Sequence, residues 1–140
     1  MAKADPDIVI FEDPSELVKE GIYDFRFLGH KYVSMFQGSV KLIMDFKIIS
    51  NGEFFEIKLQ RYYNVQKAGR SYHFKKNMDF TREMRNCFDK STLKRGKPFS
   101  LLKDKIIFGS VRTVNKTSRQ KKLSKNNQYS VISEILGLRE

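Results

Sequence analysis

The sequence predicts a mainly β fold of the α+β class. Five short strands would curl into a small barrel, with one amphipathic helix between strands 3 and 4 and a short C-terminal helix. Three observations predict it. Apolar and polar residues alternate in short runs, the period of half-buried strands. The 12 Phe and 6 Tyr, with no Trp, suit a β-rich core. Turn residues punctuate the runs, most clearly Ser50-Asn51-Gly52, because Asn-Gly tolerates positive φ. A chain of 140 residues that is 40% apolar is most simply one domain.

The elements follow in order. Residues 1–20 read as an acidic N-terminal arm and residues 21–140 as the single domain. Within the arm, Ile8 to Phe11 has the character of a short strand, and Pro14 to Glu20 that of one or two helical turns. Tyr23, Phe25 and Phe27 alternate with Asp24 and Arg26, which makes strand 1, with a continuation or a bend after Gly29. Val40, Leu42, Met44, Phe46 and Ile48 face one way in strand 2, opposite Lys41, Asp45 and Lys47. Phe54 to Val65 returns as strand 3, completing a meander. Residues 66–77 are basic, polar and aromatic and read as a loop. Asp79 can cap a helix whose apolar face is Phe80, Met84, Cys87 and Phe88, with Arg82 and Arg85 outward. Residues 91–98 are a basic linker, and Phe99, Leu101 and Leu102 a short turn packed on the core. Ile106 to Val114 is strand 4, residues 115–127 a basic loop, and Tyr129 to Leu136 a strand start leading into a short helix stopped by Gly137. Three strands, a helix, then further strands is the order of an oligonucleotide-binding barrel, in which ligands lie across strands 2 and 3 beside the 1–2 and 4–5 loops.

Charge is unevenly placed. The net charge is +11, yet residues 1–20 carry six acids against two Lys. Residues 61–103 carry twelve Lys and Arg against three acids, and residues 104–127 seven against one. Such a block suits a polyanion, because each neutralised phosphate releases condensed counterions. Aromatic residues interleave with it, and sites that hold single strands pair cationic grooves with aromatic stacking platforms. The candidate nucleic-acid-binding residues are Lys31 and Tyr32 near the 1–2 connection, and Arg61 and Tyr62 on strand 3. Arg70, Tyr72, Phe74, Lys75 and Lys76 follow it, and Arg112, Lys116, Arg119, Lys121, Lys122 and Lys125 lie on strand 4 and the long loop. The plainer reading makes the aromatics core and the lysines a solvated surface. Tyr62 and Tyr63 point to opposite faces of a strand, so one of them belongs to the core.

Other chemistry is weaker. Asp45 followed across a turn by Glu56-Ile57-Lys58 has the outline of a metal-dependent nuclease core, although Met44 stands where a Pro is expected. The same residues also suit cross-strand pairs on a solvated face. His30 and His73 lack the partners of a zinc site, and Cys87, the only cysteine, sits on the apolar helix face. No apolar run reaches the roughly 20 residues of a membrane span, and the N-terminus lacks a signal-peptide pattern. The expectation is therefore a cytoplasmic, non-enzymatic protein without metal or cofactor.

The segments LGHKYVSMFQG, LQRYYNV, IIFGSVRTV and YSVISEILG, over about residues 21–137, resemble uncharacterised bacterial proteins of phage and mobile-element origin. The resemblance implies a cytoplasmic bacterial setting and a role in DNA handling. Together these readings predict a single-stranded nucleic-acid binder, DNA before RNA, of low sequence selectivity. The alternative is a protein-interaction module, an inhibitor or adaptor docking on an acidic protein or a ribonucleoprotein. The acidic arm is a candidate contact for a protein partner. A homodimer through an edge strand is also an expectation, and a membrane partner is not.

Overall fold

The computed structural model describes residues 17–35, 38–116, 121–123 and 128–139. The chain is mainly β: among the described residues there is one antiparallel sheet of six strands with three short helices. The strands are β1 (Gly21–Ser34), β2 (Val40–Ile48), β3 (Lys58–Ala68), β4 (Ser71–His73), β5 (Ile106–Val114) and β6 (Tyr129–Leu138). They lie in the order β4-β3-β2-β1-β5-β6. The helices α1 (Asp79–Cys87), α2 (Lys90–Leu93) and α3 (Pro98–Leu102) fall between β4 and β5.

The alternation in the sequence sets the faces. Val40, Leu42, Met44, Phe46 and Ile48 are all buried on one side of β2. Leu59 and Tyr63 continue that side onto β3, and Phe25, Ile107, Val111, Ile132 and Ile135 onto β1, β5 and β6. Each large apolar side chain so buried contributes about 1.5–3 kcal/mol. Phe80 and Met84 of α1 and Leu102 of α3 cover this face. Val18, just before β1, is also buried, and its backbone N–H donates to Ser130 Oγ at 2.8 Å.

β1 bends where Gly29 stands. The register slips between Phe27 and Gly29, so Leu28 is an extra residue opposite β2. The bulge lets Phe27 and His30, three residues apart, both meet the core-side aromatics: Phe27 packs on Phe46, and His30 stacks on Phe99 at 3.6 Å. Without it, every residue after Gly29 would face the wrong side.

Several expectations are corrected. The five-stranded closed barrel is instead a six-stranded open sheet: β6 comes close to β3, but no backbone ladder joins them. The sixth strand is β4, because residues 66–73 form a hairpin with β3 about Gly69 rather than a loop; Gly69 holds φ +61°, the left-handed conformation such a turn requires. The expected C-terminal helix is strand. β6 runs unbroken past Gly137 to Leu138, which pairs with Ile107, because pairing with β5 outweighs the local helical spacing. β3 begins at Lys58, not Phe54. Residues 49–57 form a long turn in which Glu56 takes φ 68° and donates its N–H to the Ile48 carbonyl at 2.8 Å. The helix stands where expected, but Met78, not Asp79, is its N-cap. Asp79 instead places a carboxylate in the first turn, where the helix dipole favours it.

Candidate nucleic-acid interface

A groove runs between the solvent-facing side of β2–β3 and the β5–β6 hairpin. Two adjoining cavities make it, about 700 and 380 Å³, and both are lined by Tyr62, Tyr129 and Val131. The larger is also lined by Leu28, Asp45, Lys58 and Gln60, the smaller by Met35, Lys41, Ile43 and Arg112. The register explains the row of side chains. Lys31 on β1, Ile43 on β2 and Tyr62 on β3 are direct cross-strand neighbours, and the next row is Asp45 with Gln60.

Polar side chains tie this surface together. Gln60 Nε2 donates to Asp45 Oδ1 at 2.7 Å, Tyr62 Oη donates to Gln60 Oε1, and Lys41 Nζ donates to Asn64 Oδ1. Tyr62 is 39% exposed and Tyr129 44%. Partial burial pushes the Tyr62 hydroxyl above its ordinary range, and the proximity of Tyr129 and Asp45 adds to this, so it stays neutral at physiological pH. Two accessible phenol rings, with Lys41, Lys58 and Arg112 beside them and Asp45 as the one carboxylate in the lining, make a surface fit for stacking bases and neutralising phosphates.

The remaining candidates divide. Arg112 lies in the groove, and Lys116, exposed, forms a bridge with Lys122 that extends the β5–β6 hairpin. Lys121 is exposed beside it. Arg119 and Lys125 lie outside the described residues, as does the arm up to residue 16. Tyr32, Arg70, Tyr72, Phe74, Lys75 and Lys76 belong elsewhere. Tyr72 pairs with Lys67 of β3, on the side that carries Tyr63, and its ring lies parallel to Tyr32 at 3.7 Å. The basic-aromatic block therefore supplies two surfaces on opposite sides of the sheet, not one groove.

Arg61 has a different role from a free phosphate clamp. Its side chain is 12% exposed and points to the core side, where Nε donates to Glu83 Oε1 at 3.0 Å and a terminal nitrogen to Glu83 Oε2. Burial alone would lower the Arg61 pKa, but hydrogen bonds and the charge of Glu83 lift it above the ordinary value. Glu83 is fully buried and also accepts from Tyr63 Oη at 3.0 Å and from the backbone N–H of Ile135 at 2.7 Å. Sequence reasoning missed this carboxylate. The signal was present in Glu83 at i+3 from Phe80, next to Met84, on the helix face that the apolar spacing marks as buried.

The nuclease-like pattern is not assembled as the sequence suggested. Asp45 faces Gln60 across the ladder, while Glu56 is exposed in the turn before β3. Among the described residues, no three His, Cys, Asp or Glu side chains cluster as metal ligands, and no helix is long and apolar enough to cross a membrane. Cys87, half-buried on α1, has its thiol pushed up to about 12, chiefly by burial and further by the charge of Glu83.

No family model matches the chain, and neither a curated protein nor a solved structure matches it.

Proposed function

We propose that this protein binds single-stranded nucleic acid, DNA before RNA, along the Tyr62–Tyr129 groove with low sequence selectivity. The observation that carries the reading is that two half-exposed tyrosines line one groove together with Lys41, Lys58 and Arg112. Stacking and charge hold a strand without reading base edges, which is why selectivity is low. The strand order β3-β2-β1-β5-β6, with α1 inserted before β5, supports an oligonucleotide-binding-like architecture. On that reading the groove lies across the second and third strands and beside the hairpin loop, where such folds take their ligands. On the same reading its setting is bacterial DNA handling.

The deciding experiment is binding of fluorescent oligo-dT across a salt series, with duplex DNA and single-stranded RNA alongside. Tight binding at low salt that weakens steeply as salt rises supports the reading; absent or salt-independent binding ends it. A second reading, a protein-docking module, draws on Leu28 and Met35, each 46% exposed along the same groove. It predicts a co-purifying protein partner and indifference to free oligonucleotides.

A further inference from the structure

The second surface holds a cleft of its own. It opens between the β3–β4 hairpin and the α2–α3 turn, with a volume of about 330 Å³. Tyr72 and Phe74 line it from the hairpin, Pro98 and Phe99 from α3, and the buried Phe80 and Met84 from α1. That volume is at the small end of ligand pockets, roughly 300–1,000 Å³. With core residues at its floor, the cleft is blind and suits one planar group rather than a continuous strand.

Basic residues adjoin the cleft's lining in the chain. Lys75 and Lys76 directly follow Phe74, and Arg95 and Lys97 flank Gly96, which lines the cleft; all four are exposed. Lys67 Nζ lies 6.0 Å from the Tyr72 ring centre and adds a cation beside that wall of the cleft. Across residues 67–97 there are ten Lys and Arg against three acids. One of the three, Glu83, is buried against Arg61, and another, Asp79, pairs with Arg82 at 2.9 Å. An aromatic slot whose lining residues have cationic neighbours in the chain suits a flat ring that carries negative charge.

We propose that this cleft is a site for a single nucleoside monophosphate, with its base against Tyr72 and Phe99 and its phosphate met by Arg95 and Lys97, the neighbours of Gly96. The site goes beyond the groove reading and does not depend on it. The same chemistry could be supplied by a free nucleotide or by the phosphorylated 5′ end of a strand.

The test uses the full chain with ¹³C-methyl methionine, reading the Met84 methyl signal during titration with dTMP. The expected result is a saturable shift of Met84, with thymidine or inorganic phosphate alone much weaker. Tyr72→Ala, at an exposed edge position, and Lys97→Glu, on the surface, should each weaken dTMP by about tenfold, the scale of one lost stacking or charged contact. Tyr62→Ala should leave dTMP binding unchanged. An unmoved Met84 at millimolar dTMP overturns the site. So does an equal response to inorganic phosphate, or a loss on Tyr62→Ala. 5′-Phosphorylated oligo-dT that displaces dTMP assigns the strand end as occupant, and a strand that leaves dTMP in place assigns the free nucleotide. Oligo-dT that fails to bind while dTMP shifts Met84 removes the groove reading alone.

Discussion

Glu83 is the one fully buried charged residue among those described, and it draws three parts of the molecule to one point: β3 through Arg61 and Tyr63, α1 through its own backbone, and β6 through the Ile135 N–H. Breaking a buried pair from one side leaves the other charge uncompensated, so Glu83→Ala should cost about 3–5 kcal/mol in urea unfolding, with unchanged m-value. Cys87 gives a second prediction. Its thiol, held up to about 12 in the fold against about 9 for a free thiol, should react with iodoacetamide at pH 8 at least about a hundredfold more slowly than in urea, since only the thiolate attacks. The sign of the linkage follows. The folded chain keeps a proton that the unfolded chain releases, so this contribution to stability is complete below about pH 9 and is lost as pH rises towards 12. Tyr63 acts in the same direction from pH 10 upward, its hydroxyl held high first by burial and then by Glu83. The apolar setting of Cys87 was legible from its helical spacing. The use of Arg61 was not, because a charged residue at a strand position shows no mark of whether its partner is phosphate or a carboxylate two elements away.

At the scale of elements, spacing and turn chemistry carried most of the information. β2, β5 and α1 follow directly from alternation and from the i, i+4 pattern. Residues 54–57 mislead, since Phe54-Phe55 looks like strand, but the long turn keeps Phe55 49% exposed and sends Glu56 to positive φ. β6 was half-read, because Val131, Ile132 and Ile135 fit a helical stripe and a bulged strand equally well. The register slip beside Ser110 that brings both Ile132 and Ile135, three residues apart, to the core side cannot be seen in one strand's sequence. Two glycines on paired elements predict opposite outcomes. A Cβ on Gly109 would lie 2.6 Å from the Glu134 carbonyl oxygen, a backbone atom, so Gly109→Ala should cost about 1–3 kcal/mol or more in thermal or urea unfolding. Gly29 at the β1 bulge has nothing within 4 Å of such an atom, so Gly29→Ala should leave the midpoint nearly unchanged.

On the scale of the whole molecule, a single block of charge in the sequence becomes two surfaces, because β3 presents alternate residues to opposite sides and the β4 hairpin adds its aromatics to only one of them. Tyr62→Ala should therefore weaken oligo-dT by about 1–3 kcal/mol, read by fluorescence anisotropy, with little change in the salt slope. Arg112→Ala should flatten the slope by about one phosphate's worth, close to 0.7 for a single strand. The mainly β character was readable from the chain; the added edge strand β4 and the absence of a ladder between β3 and β6 were not, since the latter depends on what fills the gap. Glu83 takes the Ile135 N–H there, and Asn86 Nδ2 donates to the Ile135 carbonyl at 3.0 Å. Two helix side chains thus stand in for a neighbouring strand. A backbone ladder forms whatever the residues, but this seam is written in side chains and can be erased one codon at a time. Once erased, it leaves the Ile135 N–H and C=O open on the edge of β6, where an extended chain could pair. Asn86 and Glu83 thereby cover a strand edge as well as hold the fold.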